Sequence, residues 1–143
     1  MALTLLDDIV TILVAAGVGV DNTNIFKTSK AQIPAGAGPY LTVTATGGSG
    51  PEGTHNAALT GVPAYQRPNF QILVRGQSTG SVDTMIRNAY NALVKFGQKS
   101  QLVNSVWYRS IFPLQEPFDT GIDGQGRYTM TVNFGVVKRP NMA

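Results

Sequence analysis

Between Arg67 and Gly97 the hydrophobic period of the chain changes from two to 3.6 within a few residues, and this stretch most limits the available folds. Phe70, Ile72 and Val74 alternate with Gln71, Leu73 and Arg75, the pattern of a strand with one apolar face. Gly76 to Gly80 interrupts the run. Val82, Met85, Ile86, Ala89, Tyr90, Leu93 and Val94 then recur at three- and four-residue spacing, which predicts an amphipathic helix over 82–96. Ser78, Thr79 and Ser81 are candidate N-caps, Asp83 suits a first turn, and Gly97 suits the C-terminus. A helix with one apolar stripe needs something to cover it. It is expected to lie on a sheet that contains the 70–76 strand.

The remaining elements are read in the same way. Leu6, Ile9, Val10, Leu13 and Val14 predict a first helix over 2–16, with Asp7 and Asp8 near its positive end. Strands are expected at 24–29, at 40–46 with a row of threonines on one face, at 105–112, and at 127–137. In the 105–112 strand, Val106 and Tyr108 fall on one side, with Trp107, Arg109 and Ile111 on the other. Gly47 to Gln66 has no clear period and reads as a long flexible loop. Pro113 to Phe118 reads as an extended segment fixed by its two prolines, followed by a turn region over 119–126. The order α, β, β, loop, β, α, β, β predicts one α+β (α/β layer) domain over 1–143. Its sheet is mixed but mostly antiparallel, with two helices packed on one face. The last two strands should form a hairpin, and the strand–helix–strand unit over 70–112 a parallel pair.

Composition narrows the function. With 143 residues and no cysteine, the chain can build a core but has no disulfides, thiolate metal sites or cysteine nucleophile. Charged residues make up only 13%, about half the usual share, which suits a surface partly covered in an assembly. The net charge of +3 is not concentrated in any Lys/Arg run, so a basic nucleic-acid face is weakly supported. The apolar N-terminal stretch lacks a leading Lys or Arg and is interrupted by Asp7 and Asp8. The expectation is a soluble intracellular product without a signal peptide or membrane span.

Searching for chemistry gives little. His55, the single histidine, lies in the 47–66 loop without a preset partner. Gly48 to Gly53 fits GxGxxG, but no helix follows directly and no βαβ unit surrounds it. The Asp119–Gly126 stretch lacks the spacing and closing glutamate of a calcium loop. Pro51 stands where a serine-hydrolase elbow needs its second glycine. No catalytic, metal or cofactor site is expected. The expected sites are surfaces: Ala57, Leu59, Val62 and Tyr65 in the loop, where a subunit or another partner would cover them. Within Gln115–Arg127, Pro117 and a buried Phe118 are expected to direct the chain into the last hairpin, with Arg127 bonded to Asp119, Asp123 or backbone carbonyls.

The segment Pro113-Leu-Gln115-Glu116-Pro117-Phe118-Asp-Thr-Gly121-Ile-Asp123-Gly-Gln-Gly126-Arg127, with the alternating strand through Asn133-Phe134, resembles the C-terminal part of phage minor capsid proteins similar to the tail terminators of long-tailed phages. Tyr65 to Gly76, the Tyr90-Asn-Ala-Leu93 segment and the leading helix with Asp7, Asp8 and Ile9 fit the same pattern. Gly47 to Ala64 does not. The resemblance implies a tail-terminator-like fold and a ring, commonly a hexamer, that caps the tail tube and presents a surface to the head. It implies as partners the tube protein, a neck or head-completion protein, and double-stranded DNA passing through the bore without sequence-specific binding. The implied location is the virion tail at the head–tail junction, and the host cytoplasm during assembly. Two other readings stand beside it: a neck or head-completion protein, and a small nucleic-acid-binding module using Trp107, Tyr108, Arg109, Lys138 and Arg139.

Overall fold

The computed structural model describes residues 5–27, 36–52 and 65–139. Two helices, α1 (Leu5–Ala15) and α2 (Thr79–Phe96), pack against a curled seven-stranded sheet. The strands are β1 (Ile25–Lys27), β2 (Tyr40–Glu52), β3 (Tyr65–Gly76), β4 (Gln101–Val103), β5 (Val106–Pro113), β6 (Phe118–Ile122) and β7 (Tyr128–Lys138). Their order is β1-β2-β3-β7-β5-β4, and β6 pairs with β7 beside β5. Among the paired strands only β1 and β2 run parallel. This is the mostly antiparallel α+β layer fold that the sequence predicts.

The strands form where side chains of alternating polarity can cover one face. Leu41, Val43, Phe70, Ile72, Val74, Val132, Phe134 and Val136 are buried under the helices. At the centre of the sheet the cross-strand pair Phe70 and Phe134 stacks at 5.1 Å, nearly parallel, and Tyr90 of α2 tilts onto Phe134 at 6.1 Å. Helix α2 buries Val82, Met85, Ile86, Ala89 and Leu93 against this layer. Of the three candidate caps, Ser78 takes the role: its Oγ accepts from the amide of Ser81 at 3.4 Å. The helix therefore starts at Thr79, and Asp83 lies beyond the first turn, where it pairs with Arg87 at 3.3 Å.

Several expectations are corrected. The 47–66 stretch is not a loop throughout. β2 continues to Glu52 and β3 begins at Tyr65, because Gly47 and Gly48 turn the strand through a bulge instead of ending it. At Gly48 (φ 122°) a Cβ would stand 2.3 Å from the Arg67 carbonyl oxygen, so a glycine composition read as linker is a close approach of two paired strands beside a bulge. Ile111 faces the core with Val106 and Tyr108, because a register shift between Tyr108 and Ser110 reverses the alternation. The short strand β4 was not legible as a separate element. β3 and β5 are parallel to each other but do not pair, because β7 lies between them. Residues 118–122 form a strand, β6, and the turn is confined to 123–127.

Helix α1 differs from its predicted face. Val14 is exposed, whereas Ile12 and the carboxylate of Asp8 are buried. Asp8 is fully buried and accepts from the Tyr108 hydroxyl and, at 2.8 Å, from Asn104 Nδ2. Burial and this bond hold the Tyr108 phenol far above its usual titration range. Lys138, also buried, lies with Nζ 5.8 Å from the Tyr108 ring, and desolvation lowers its pKa. On the other side of α1, Asp7 accepts from Lys27 Nζ at 2.6 Å. Adjacent carboxylates thus tie α1 to both ends of the curled sheet: Asp7 to β1, Asp8 to β5 and the β4–β5 turn.

Candidate assembly surface

The face of the sheet away from the helices is built from the odd members of the same alternations. Gln71, Asn133 and Thr129 on this face are half-buried, and Thr131 is buried. Where β5 leaves the sheet, the connector stays attached to β7: the amide of Leu114 donates to the Asn133 carbonyl at 2.8 Å, and Gln115 Oε1 accepts from the Asn133 amide at 3.3 Å. A side chain here replaces the backbone acceptor that β5 no longer supplies. Pro117 is buried and delivers the chain into β6. Phe118 is 40% exposed, so the expected burial of its ring does not occur. Its Cα partner is Thr131, on the outward-facing row.

The hairpin between β6 and β7 is closed electrostatically. Asp123 Oδ1 accepts from the amides of Gln125 (2.9 Å) and Arg127 (3.0 Å), and Oδ2 accepts from Arg127 Nε at 2.9 Å. Together these bonds, led by the Arg127 amide, hold the Asp123 carboxyl below its ordinary pKa. Gly126 takes the left-handed conformation (φ 76°) that the turn requires. Gly121 (φ 99°) does the same beside the bulge in β6, where its amide donates to Asp119 Oδ1 at 3.0 Å. The structure therefore brings Gln115, Pro117, Phe118, Gly121, Asp123 and Arg127 to one region along the first half of β7. Among the expected bonding partners of Arg127, the side chain takes Asp123. Asp119 accepts from the Gly121 amide within its own strand.

Exposed apolar side chains follow the sheet margin made by β4, β5 and the connector. Leu102 (63%) pairs in register with Trp107 (42%), and Phe112, Leu114 and Phe118 continue at 40–51% exposure. Phe112 lies across Gly135 of β7: a Cβ on Gly135 would meet its Cζ at 2.6 Å. The glycine makes room for the ring, and the ring covers backbone that glycine leaves bare. Leu102, Phe112 and Leu114 were missed as surface residues. The bulge that turns Phe112 outward leaves no sequence signal.

Of the expected loop sites, Ala57, Leu59 and Val62, together with His55, lie outside the described residues. Tyr65 is the first residue of β3, where its ring meets two guanidinium groups: Arg109 at 5.4 Å and Arg139 at 5.7 Å from the centroid. Arg109 Nη1 also donates to the Tyr65 hydroxyl at 3.4 Å. Trp107 and Arg109 face outward, but Tyr108 and Lys138 point into the core. The five residues of the nucleic-acid reading therefore do not share one surface. Among the described residues no three His, Cys, Asp or Glu side chains group as metal ligands.

The fold and this margin define a class: a layered α+β protein that leaves a sheet margin uncovered, with apolar side chains along it. Residues 12–138 match the sequence profile of the family described as bacteriophage tail terminator protein, and the chain belongs to that family. It is a structural component of the phage tail, and its function is to assemble with other phage structural proteins. A solved structure, described as the virion of a native gene transfer agent particle, contains a chain with the same fold. The TM-score is 0.63 at 16% identity, covering 95% of this chain and 95% of that one. No curated protein sequence matches.

Proposed function

We propose that the protein is the terminator of the tail tube: a ring, six subunits in the simplest case, that caps the tube, ends its polymerisation and offers the head its joining surface. The observation that supports this beyond family membership is the apolar margin of Leu102, Trp107, Phe112, Leu114 and Phe118. With Ile122, six of the eight large apolar side chains exposed among the described residues belong to β4, β5, the connector and β6, which fits a surface that another subunit covers. A head-to-tail contact, in which this margin meets a different surface of the next subunit, closes into a ring when the rotation between subunits permits. A compact chain of this length has a diameter near 37 Å, from a radius of gyration of about 14–15 Å. Six such bodies in a ring leave a bore about one body wide, enough for duplex DNA. The tube and neck proteins are the partners above and below, and assembly takes place in the host cytoplasm before joining to the head. The Gly53–Ala64 connection, with Ala57, Leu59 and Val62, is the arm that reaches a neighbour or the tube.

The test is electron microscopy of the purified protein, alone and with tail tubes. Rings seated on tube ends, and tubes of fixed length, are expected. Leu102→Ser combined with Leu114→Ser should remain folded and lose the rings. Decoration of isolated heads but not tube ends would assign a neck position instead.

A further inference from the structure

At one end of the outward sheet face a row of side chains crosses four strands. Tyr65 of β3 stands beside Arg139, which follows β7. The Arg139 amide donates to the Trp107 carbonyl of β5 at 2.9 Å, and Trp107 pairs with Leu102 of β4. Arg109 of β5 reaches the same Tyr65 ring. Both arginines are exposed, and among the described residues neither has a carboxylate partner. Arg67, also exposed, faces the same way two residues along β3.

The geometry explains why two like charges are held together. A guanidinium held against an aromatic ring keeps N–H donors to spare: Arg109 places Nη1 on the Tyr65 hydroxyl, and its remaining donors and those of Arg139 are open to a ligand. Those donors match the oxygens of a phosphodiester in a bidentate fashion. The two guanidinium carbons both lie within 6 Å of one ring centroid, so they are no more than about 11 Å apart. Duplex DNA carries a charge every ~1.7 Å of its axis, so a span of that size meets several phosphates. The rings that could stack on bases are otherwise engaged: Tyr65 is taken by guanidinium, and Trp107 is half covered. That favours backbone contact over base stacking.

We infer that Arg109 and Arg139, positioned by Tyr65, form a sequence-independent site for the phosphate backbone of duplex DNA. The inference rests on the assembly reading only for the protein's meeting DNA at the tail. It assigns that contact to named side chains and makes the protein a holder of DNA, not only a passage for it.

The test is fluorescence anisotropy of a short labelled duplex of mixed sequence, titrated with the full chain across a range of salt. The wild-type affinity should fall with salt, independently of sequence. Arg109→Ala with Arg139→Ala should weaken binding about tenfold at low salt and flatten the slope of log affinity against log salt by about 2. Arg109→Gln and Arg139→Gln, singly, should each flatten it by about 1, and they serve if the double variant does not fold. Tyr65→Ala should weaken binding, and Tyr65→Phe, which keeps the ring and loses only the hydroxyl bond to Arg109, should recover most of it. Arg87→Ala, on the exposed side of α2, should bind as wild type does. An unchanged slope in the arginine variants, or an equal loss in Arg87→Ala, overturns the site. So does equal, arginine-dependent binding of poly-glutamate, which would assign an acidic protein partner. Tube capping by the same samples separates the two readings: capping by a protein without this DNA affinity removes only the site, whereas DNA binding by a protein that never caps removes only the terminator role.

Discussion

Single residues in this protein carry roles that their chemistry alone does not reveal. Gly97 ends α2 as a glycine should, yet its φ of −76° is ordinary. What requires glycine is the Ile111 carbonyl oxygen, which a Cβ would approach to 1.9 Å. Gly97→Ala is therefore expected to cost about 2–3 kcal/mol, as overpacking does. Gly80→Ala, in the helix with no atom nearer than 3.8 Å to its added Cβ, should be neutral or stabilising by up to about 1 kcal/mol. Urea unfolding of both variants checks the contrast. Tyr108→Phe leaves buried Asp8 with Asn104 but without its phenol donor, and about 1–3 kcal/mol should be lost by the same measurement. Asp123 supplies a pH dependence of known sign. Its folded pKa is depressed, so its contribution is complete above the unfolded value of about 3.9 and is lost as pH falls through the folded value. The stability gap between wild type and Asp123→Asn should therefore be constant at neutral pH and narrow below about pH 4 in acid titrations.

Among the elements, β7 organises the sheet. It pairs with β3 along one edge and divides the other between β6 and β5. The change of partner falls at Asn133, where Leu114 and Gln115 take the backbone groups between the two strands. Gln115→Ala should leave the Asn133 amide without this acceptor and increase its hydrogen exchange relative to the flanking β7 amides, since local opening follows the loss of a ladder bond. Phe118→Ala, by contrast, removes a ring that is 40% exposed and should cost less than about 1 kcal/mol, well under a core truncation. A loss of several kcal/mol in thermal unfolding would show that β6 depends on that ring. Its expected importance is in ring assembly, where the same variant should reduce the yield of capped tubes.

For the whole molecule, the helical layer is one-sided: the helices cover one face of the sheet and leave the other to its own half-buried polar side chains. Replacing Gly53–Ala64 by a short turn between the paired Glu52 and Tyr65 tests whether the connection is an arm. Loop length carries a small entropic term, each doubling costing about 0.6 kcal/mol, so stability should hold within about 1 kcal/mol. Tube capping should be lost. Normal capping by the shortened protein would mean that Ala57, Leu59 and Val62 have no such role.

Periodicity by itself determined the helix after Gly76, the inward faces of β3 and β7 and the layered α+β class, because burial on one face imposes a period that the sequence must carry. The Asp- and Gly-rich turn before Tyr128 was legible for the same local reason: those residues supply its backbone angles and its cap. Only the tertiary structure decided the rest. The bulge at Arg109 moved Ile111 into the core and Phe112 out. The pairing with β3 at Gly48 made a strand of a linker-like composition, and a distant tyrosine drew Asp8 into the interior. Each of these depends on what an element far along the chain places opposite a residue. The apolar margin and the paired arginines on Tyr65 exist only because β7 lies between β3 and β5, and no local pattern records which strand is inserted between two others.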